Sequence, residues 1–311
     1  MADSRFDILR KSNGPYFAYV GMETDLIFSR GIDLPGFASF PLLATEEGRD
    51  VLGGYFVDLI KLGAESGTGV ILESPTWVAN RDRGAALGYS PSALADFNTQ
   101  AIALMSGIRD DAGAENAVLS ANIGPRHDAY APHEQMSPQE AETYHSEQIT
   151  VLAETAVDVI SGYTLTYPAE AIGIVCAARS CQMPVVIAFT VETDGRLPTG
   201  LPLADAISEV DAATDGYCAY FMINCAHPDH FRAVLDQSPA IQRLGGLVAN
   251  ASRCSHAELD ESSELDAGNP FELAQQLTEI RREFPHIKVL GGCCGTDMRH
   301  MTEIARAMKN I

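Results

Sequence analysis

Cys293 and Cys294 stand side by side in the stretch Gly291-Gly292-Cys293-Cys294-Gly295-Thr296. Side chains alternate faces along a strand, so neighbouring cysteines point apart unless the backbone leaves extended geometry, and the flanking glycines permit that departure. Two thiols turned to one point admit three readings: a soft-metal site, a redox pair, or two small buried residues. A third ligand at the same place decides between them. The candidate is Cys225, in Asn224-Cys225.

Such a meeting must be arranged by the elements that carry these residues. Apolar runs at 16–20, 69–72, 117–122, 157–161, 184–190, 218–223, 244–249 and 287–290 each read as a short, fully buried strand. Helical spacing lies between them at 45–63, 94–108, 137–156, 169–181, 229–235 and 270–284, with a last helix opening at Thr296 or Asp297. Thr45 before Glu46 and Glu47, and the run Ser137-Pro138-Gln139-Glu140, are N-terminal caps. Continuous apolar strands alternating with helices imply a parallel sheet covered by helices. Eight such units in 311 residues favour a single-domain (β/α)₈ TIM-type barrel spanning 1–311 over a doubly wound sheet. No GxGxxG or GxxxxGK[ST] pattern opens a helix, which removes the argument for a nucleotide-binding version.

Composition excludes several partners. The formal charge of −21 opposes nucleic acid and anionic membrane. No apolar run approaches the roughly 20 residues of a membrane span, and the N-terminus has no apolar signal core, so a cytoplasmic protein is expected. In a reducing compartment the 7 cysteines are thiols or metal ligands. Cys176 and Cys181 read as core, Cys218 as the start of the sixth strand far from any site, and Cys254 as a residue near the mouth without a motif. His227 and His230, opening a helix, read as solvated, and His127 and His133 as loop surface. Arg196 and Asp194 could bind a carboxylate or pair with each other. The sequence leaves monomer and homo-oligomer both open.

In a barrel of this kind the site forms where strands end and loops begin, at the C-terminal face. That places Glu23, Glu73, Asn122, Tyr163, Thr190, Cys225, Asn250, Cys293 and Cys294 around one mouth, with Tyr19 and Trp77 at or near it. Strands six and eight lie two apart, so Cys225 can meet the cysteine pair near the axis. Three thiolates with no obvious fourth protein ligand describe a zinc site with an open coordination position, as in catalytic zinc.

The chain resembles the zinc-dependent homocysteine S-methyltransferases, which include the betaine-homocysteine and S-methylmethionine-homocysteine enzymes. The resemblance rests on Gly291-Gly292-Cys293-Cys294-Gly295-Thr296, Asn224-Cys225 and Ile123-Gly124-Pro125. Gly21-Met22-Glu23-Thr24-Asp25-Leu26 and Phe189-Thr190 with Gly195-Arg196-Leu197 support it. It implies a (β/α)₈ barrel, Zn²⁺ held by Cys225, Cys293 and Cys294, and methyl transfer from a small cationic donor to the thiol of homocysteine. Two departures bear on the acceptor. Tyr19-Val20-Gly21 stands where the family has Asp-Gly-Gly, and Tyr163 where it has a glutamate; the family uses both carboxylates to hold the homocysteine amino group.

Glu23 or Glu73 could take over that task; otherwise the acceptor is a different, amine-free thiol. Tyr19, Trp77 and Tyr163 could offer ring faces to a sulfonium or ammonium donor, with Asn122 and Thr190 completing the substrate contacts. Two readings from other classes stand beside this one: a vicinal-cysteine redox protein, which needs no Cys225, and a non-catalytic zinc-binding thiol sensor.

Overall fold

The computed structural model describes residues 3–127, 129–130, 134–262 and 264–309. Eight parallel strands pair in sequence order and close on themselves: β1 Tyr16–Ala18, β2 Gly69–Glu73, β3 Ala117–Ile123, β4 Val159–Leu165, β5 Val185–Phe189, β6 Phe221–Asn224, β7 Leu244–Ala249 and β8 Val289–Gly292. Phe17 opposite Leu290 makes the closing register. The protein is a (β/α)₈ barrel.

The continuous apolar runs follow from burial on both faces of the sheet. Ile71, Val118, Val186 and Val248 fill the barrel interior, whereas Val70, Leu119, Ile187 and Leu247 join the larger core between sheet and helices. The covering helices include Glu46–Ser66, Pro91–Asp111, Pro138–Ala153, Pro168–Ser180, Leu203–Thr214, Pro270–Glu283 and Met298–Met308. Ser137 and Glu140 make the anticipated capping box, and Thr45 accepts from the Gly48 N–H. No helix among the described residues is long and apolar enough to cross a membrane.

The differences from the expected elements have local causes. Helix Leu203–Thr214 was not anticipated between the fifth and sixth strands, although Leu203, Ala206, Ile207 and Val210 are buried at helical spacing. The N-terminal helix Arg5–Lys11 is too short to show periodicity, yet its Phe6 and Leu9 enter the interior cluster from the N-terminal end of the strands. β1 stops at Ala18 because Tyr19 takes a left-handed φ of 44°. β4 begins and ends later than expected, so Tyr163 lies within the strand. After β6 the helix is only Pro228–Phe231, continued by a 3-10 turn.

The glycines around the cysteine pair serve two purposes. Gly295 alone of the three has a positive φ, at 79°. Gly291 is required by proximity instead: a Cβ there would lie 2.0 Å from the Ala18 carbonyl oxygen. β8 can approach β1 closely only without that side chain.

Candidate metal centre

Cys225 follows β6, and Cys293 and Cys294 follow β8, so the strand between them has to set their relative position. The end of β7 does this with backbone hydrogen bonds to both sides. The Cys225 N–H donates to the Val248 carbonyl (3.2 Å) and the Asn250 N–H to Ala226 (3.0 Å). On the other side the Cys293 N–H donates to Ala249 (2.7 Å) and the Ala251 N–H to Cys294 (3.0 Å). The Thr296 N–H and hydroxyl both donate to the Cys293 carbonyl, at 3.0 and 2.7 Å, which closes the turn that brings Cys294 round beside Cys293. The three Sγ atoms lie within 4.8 Å of one another.

These residues fit a metal. Tetrahedral zinc with Zn–S bonds of about 2.3 Å separates its sulfurs by about 3.8 Å, inside the observed spread. The donor set is soft, and Cys225 and Cys293 are buried with Cys294 half-buried. The thiols also polarise one another. Hydrogen bonds from Cys293, Cys294 and Tyr130 push the Cys225 thiol well below the ordinary cysteine range. The hydrogen bond to Cys225, with burial, pushes Cys293 and Cys294 up. The Cys225 backbone is left-handed, φ 52°, a conformation costing a non-glycine residue about 1–2 kcal/mol.

Beside the thiols opens a cavity of about 440 Å³, counted with the solvent-filled space at its open mouth. Of the substrate-contact candidates, Tyr19, Glu23, Trp77, Asn122 and Tyr163 line it, together with the three cysteines; Glu73 and Thr190 do not. Thr190 is fully buried behind Cys225, its hydroxyl 3.5 Å from the Cys225 carbonyl oxygen. Glu73 lies buried at the end of β2, where Tyr163 donates to its Oε1 at 3.0 Å. Burial pushes Glu73 up to about 7, against the hydrogen bonds from Ser120 and Tyr163. Both oxygens of Glu23 accept from hydroxyls, one from Tyr19 and the other from Ser39 at 2.8 Å. Burial raises Glu23 as well. Asn122 has a buried Oδ1 with no partner among the described residues.

The walls are aromatic. The Tyr19 and Tyr163 rings lie 6.3 Å apart, and Phe37 meets Trp77 edge-on at 6.3 Å. One face of Trp77 already carries the Arg83 guanidinium, 4.7 Å from the ring centroid. Sequence reasoning missed Phe37, Thr164, His256 and Tyr130: Phe37 ends a 3-10 turn, Thr164 lies within β4, His256 opens a short helix and Tyr130 lies in a loop, none of them in a motif. Asn224, part of the Asn-Cys dipeptide, has a visible purpose: it accepts from the Thr164 N–H (2.9 Å) and donates to its hydroxyl (2.8 Å), fixing a residue with φ 62°.

Several expectations are corrected. His227 and His230 are buried rather than solvated; His227 accepts from the Asp229 N–H at 3.1 Å, and His230 lies 2.8 Å from the Arg253 carbonyl oxygen. Of the two readings for Arg196 and Asp194, the mutual pair in solvent is the one seen. Cys176 and Cys181 are half-buried rather than core, Cys254 is exposed, and His127 is half-buried. His133 lies outside the described residues.

The model of the homocysteine S-methyltransferase family matches residues 21–308. Among solved structures, the chain is similar to the homocysteine methyltransferase MmuM from Escherichia coli. The oxidized form superimposes with a TM-score of 0.75 at 17% identity, covering 99% of this chain and 99% of that one. The metallated form gives 0.71 at 16% identity, covering 96% and 98%. At that identity the likeness concerns the fold. No curated protein sequence matches the chain significantly.

Proposed function

The chain belongs to the homocysteine S-methyltransferase family and is an enzyme; from that premise we propose that it moves a methyl group from a cationic sulfonium or ammonium donor to a thiol held beside zinc at Cys225, Cys293 and Cys294, homocysteine being the default acceptor. The observation that carries this reading is the meeting of three thiols from two strand ends at the wall of an aromatic cavity. Zinc bound there would keep the acceptor thiol deprotonated at neutral pH.

In the transfer a carbon–sulfur bond forms to the acceptor as the donor's bond from methyl carbon to its charged sulfur or nitrogen breaks. The bonding pair stays with the donor, which leaves as a neutral thioether or amine. Its positive charge disappears during the step, so the cavity must hold a cation without solvating it strongly. Tyr19, Phe37 and Tyr163 offer ring surface for that, and the edge of Trp77 helps keep water from the reacting carbon. Glu23 is the carboxylate that reaches the cavity and is the proposed contact for the homocysteine ammonium, with the unpartnered Asn122 Oδ1 on the same cavity wall as a second polar contact.

A second acceptor reading is favoured by one arrangement. The buried carboxyl groups following β1 and ending β2 are each tied to a phenol, Glu23 to Tyr19 and Glu73 to Tyr163, which suits a thiol that brings no ammonium. A matrix of donors against acceptors on zinc-loaded protein tests both. Betaine, S-methylmethionine, S-adenosylmethionine and dimethylsulfoniopropionate would each be offered with homocysteine and with mercaptopropionate. Methylation of at least one thiol is expected, and preference for mercaptopropionate would select the second reading. No thiol methylation from any of these donors would sink the proposal.

A further inference from the structure

Cys225 is held by more side chains than any need of the fold explains. Its left-handed backbone aims the thiol across the mouth, and its carbonyl oxygen is met by donors from three separate places. Asn250, directly after β7, donates through Nδ2 at 3.0 Å, and Thr190, after β5, lies at 3.5 Å. The shortest contact, 2.6 Å, is to Nε2 of His256, in the short helix His256–Asp260. The other ring nitrogen of His256 faces Glu192 Oε1 at 3.0 Å, so the ring is gripped from behind. Tyr130 covers its face, ring centroids 4.2 Å apart at 31°. Thr190, Asn250 and His256 are all buried.

A carbonyl oxygen has two lone pairs, and here both are committed. Released from these donors, the peptide after Cys225 would be free to rotate toward the ordinary right-handed or extended regions. That rotation turns the Cα–Cβ bond, and Sγ would swing away from Cys293 and Cys294. We propose that His256, oriented by Glu192, is a positioning residue for the metal centre: by holding the Cys225 carbonyl it fixes the left-handed backbone that presents the Cys225 thiol to the other two. This rests on the reading of the three cysteines as metal ligands. His256 touches no reacting atom; it acts through the ligand's own peptide.

The test is zinc affinity by chelator competition, together with the absorption bands of the cobalt-substituted protein, in wild type, His256→Ala and His256→Gln. Outer partners of metal ligands typically contribute about 10–100-fold to affinity, and a loss in that range is expected for His256→Ala, with shifted cobalt–thiolate bands. Thermal melting of the metal-free forms should stay close to wild type, which separates positioning from folding. His256→Gln, whose amide N–H can reach the same carbonyl, should recover most of the affinity. If the alanine variant does not fold, His256→Asn, polar but too short to reach, carries the same expectation. Wild-type affinity and cobalt spectrum in His256→Ala, or equal losses in the alanine and glutamine variants, would overturn the assignment of His256 and leave the metal centre standing. A wild-type protein that binds neither zinc nor cobalt would overturn both.

Discussion

Replacing Glu73 with glutamine tests whether the barrel interior beneath the aromatic walls carries a charge. Glu73 has its Oε2 buried without a partner among the described residues, and burial raises its pKa from 4.5 to about 7. Between those values the folded protein keeps the proton while the unfolded chain releases it, so stability falls as pH rises through that window and levels off above about 7. At about 1.4 kcal/mol per pH unit the total is about 3 kcal/mol. Glutamine has no such proton, and its carbonyl oxygen can still accept from Tyr163. Urea unfolding of metal-free wild type and Glu73→Gln, compared from about pH 4.5 to about pH 8, subtracts every group the two share. The variant should gain about 3 kcal/mol on wild type across that range. A difference that does not change with pH would refute the reasoning and make Glu73 an ordinary ionised carboxylate, available to an ammonium ion.

Three further outcomes are expected. Phe37→Ala should raise the KM for the methyl donor by about 2- to 30-fold, the range of one cation–π contact, with far less change in the thiol KM; equal changes in both would assign Phe37 to packing. Tyr19→Phe removes the phenol from Glu23 Oε2 and should shift relative kcat/KM toward homocysteine over mercaptopropionate; an unchanged ratio would mean that Glu23 does not meet the acceptor. Asn224→Ala strips both side-chain bonds from Thr164 and should lower unfolding free energy by about 1–3 kcal/mol, and a change near zero would show Thr164 held by its neighbours alone.

The barrel was legible because its cause is written locally. Strands buried on both faces must be continuously apolar, and eight such runs separated by helical spacing leave few architectures. Cys225, Cys293 and Cys294 were legible as a group because they follow closely on the sixth and eighth apolar runs, and strand order brings those ends together. What was not legible depends on backbone that leaves regular geometry. The left-handed turns at Tyr19, Thr164 and Cys225 fall on residues that do not advertise them, and they decide which side chains face the cavity. Glu73 looked like a residue of the mouth from its strand-end position, yet period-two alternation turns it inward beneath Tyr163. His256 could not be read from sequence at all, since its partners Glu192, Cys225 and Tyr130 come from three different loops.

Whether three thiols from two strand ends hold one metal is decided most directly by zinc content. Purified wild-type protein, exchanged into zinc-free buffer and measured by mass spectrometry of the metal, should retain about one zinc per chain. Cys225→Ser, Cys293→Ser and Cys294→Ser should each fall close to none while keeping the far-ultraviolet signature of the barrel. Zinc retained at the wild-type level in any of the three, or absent from the wild type after zinc loading, would contradict the three-thiol centre.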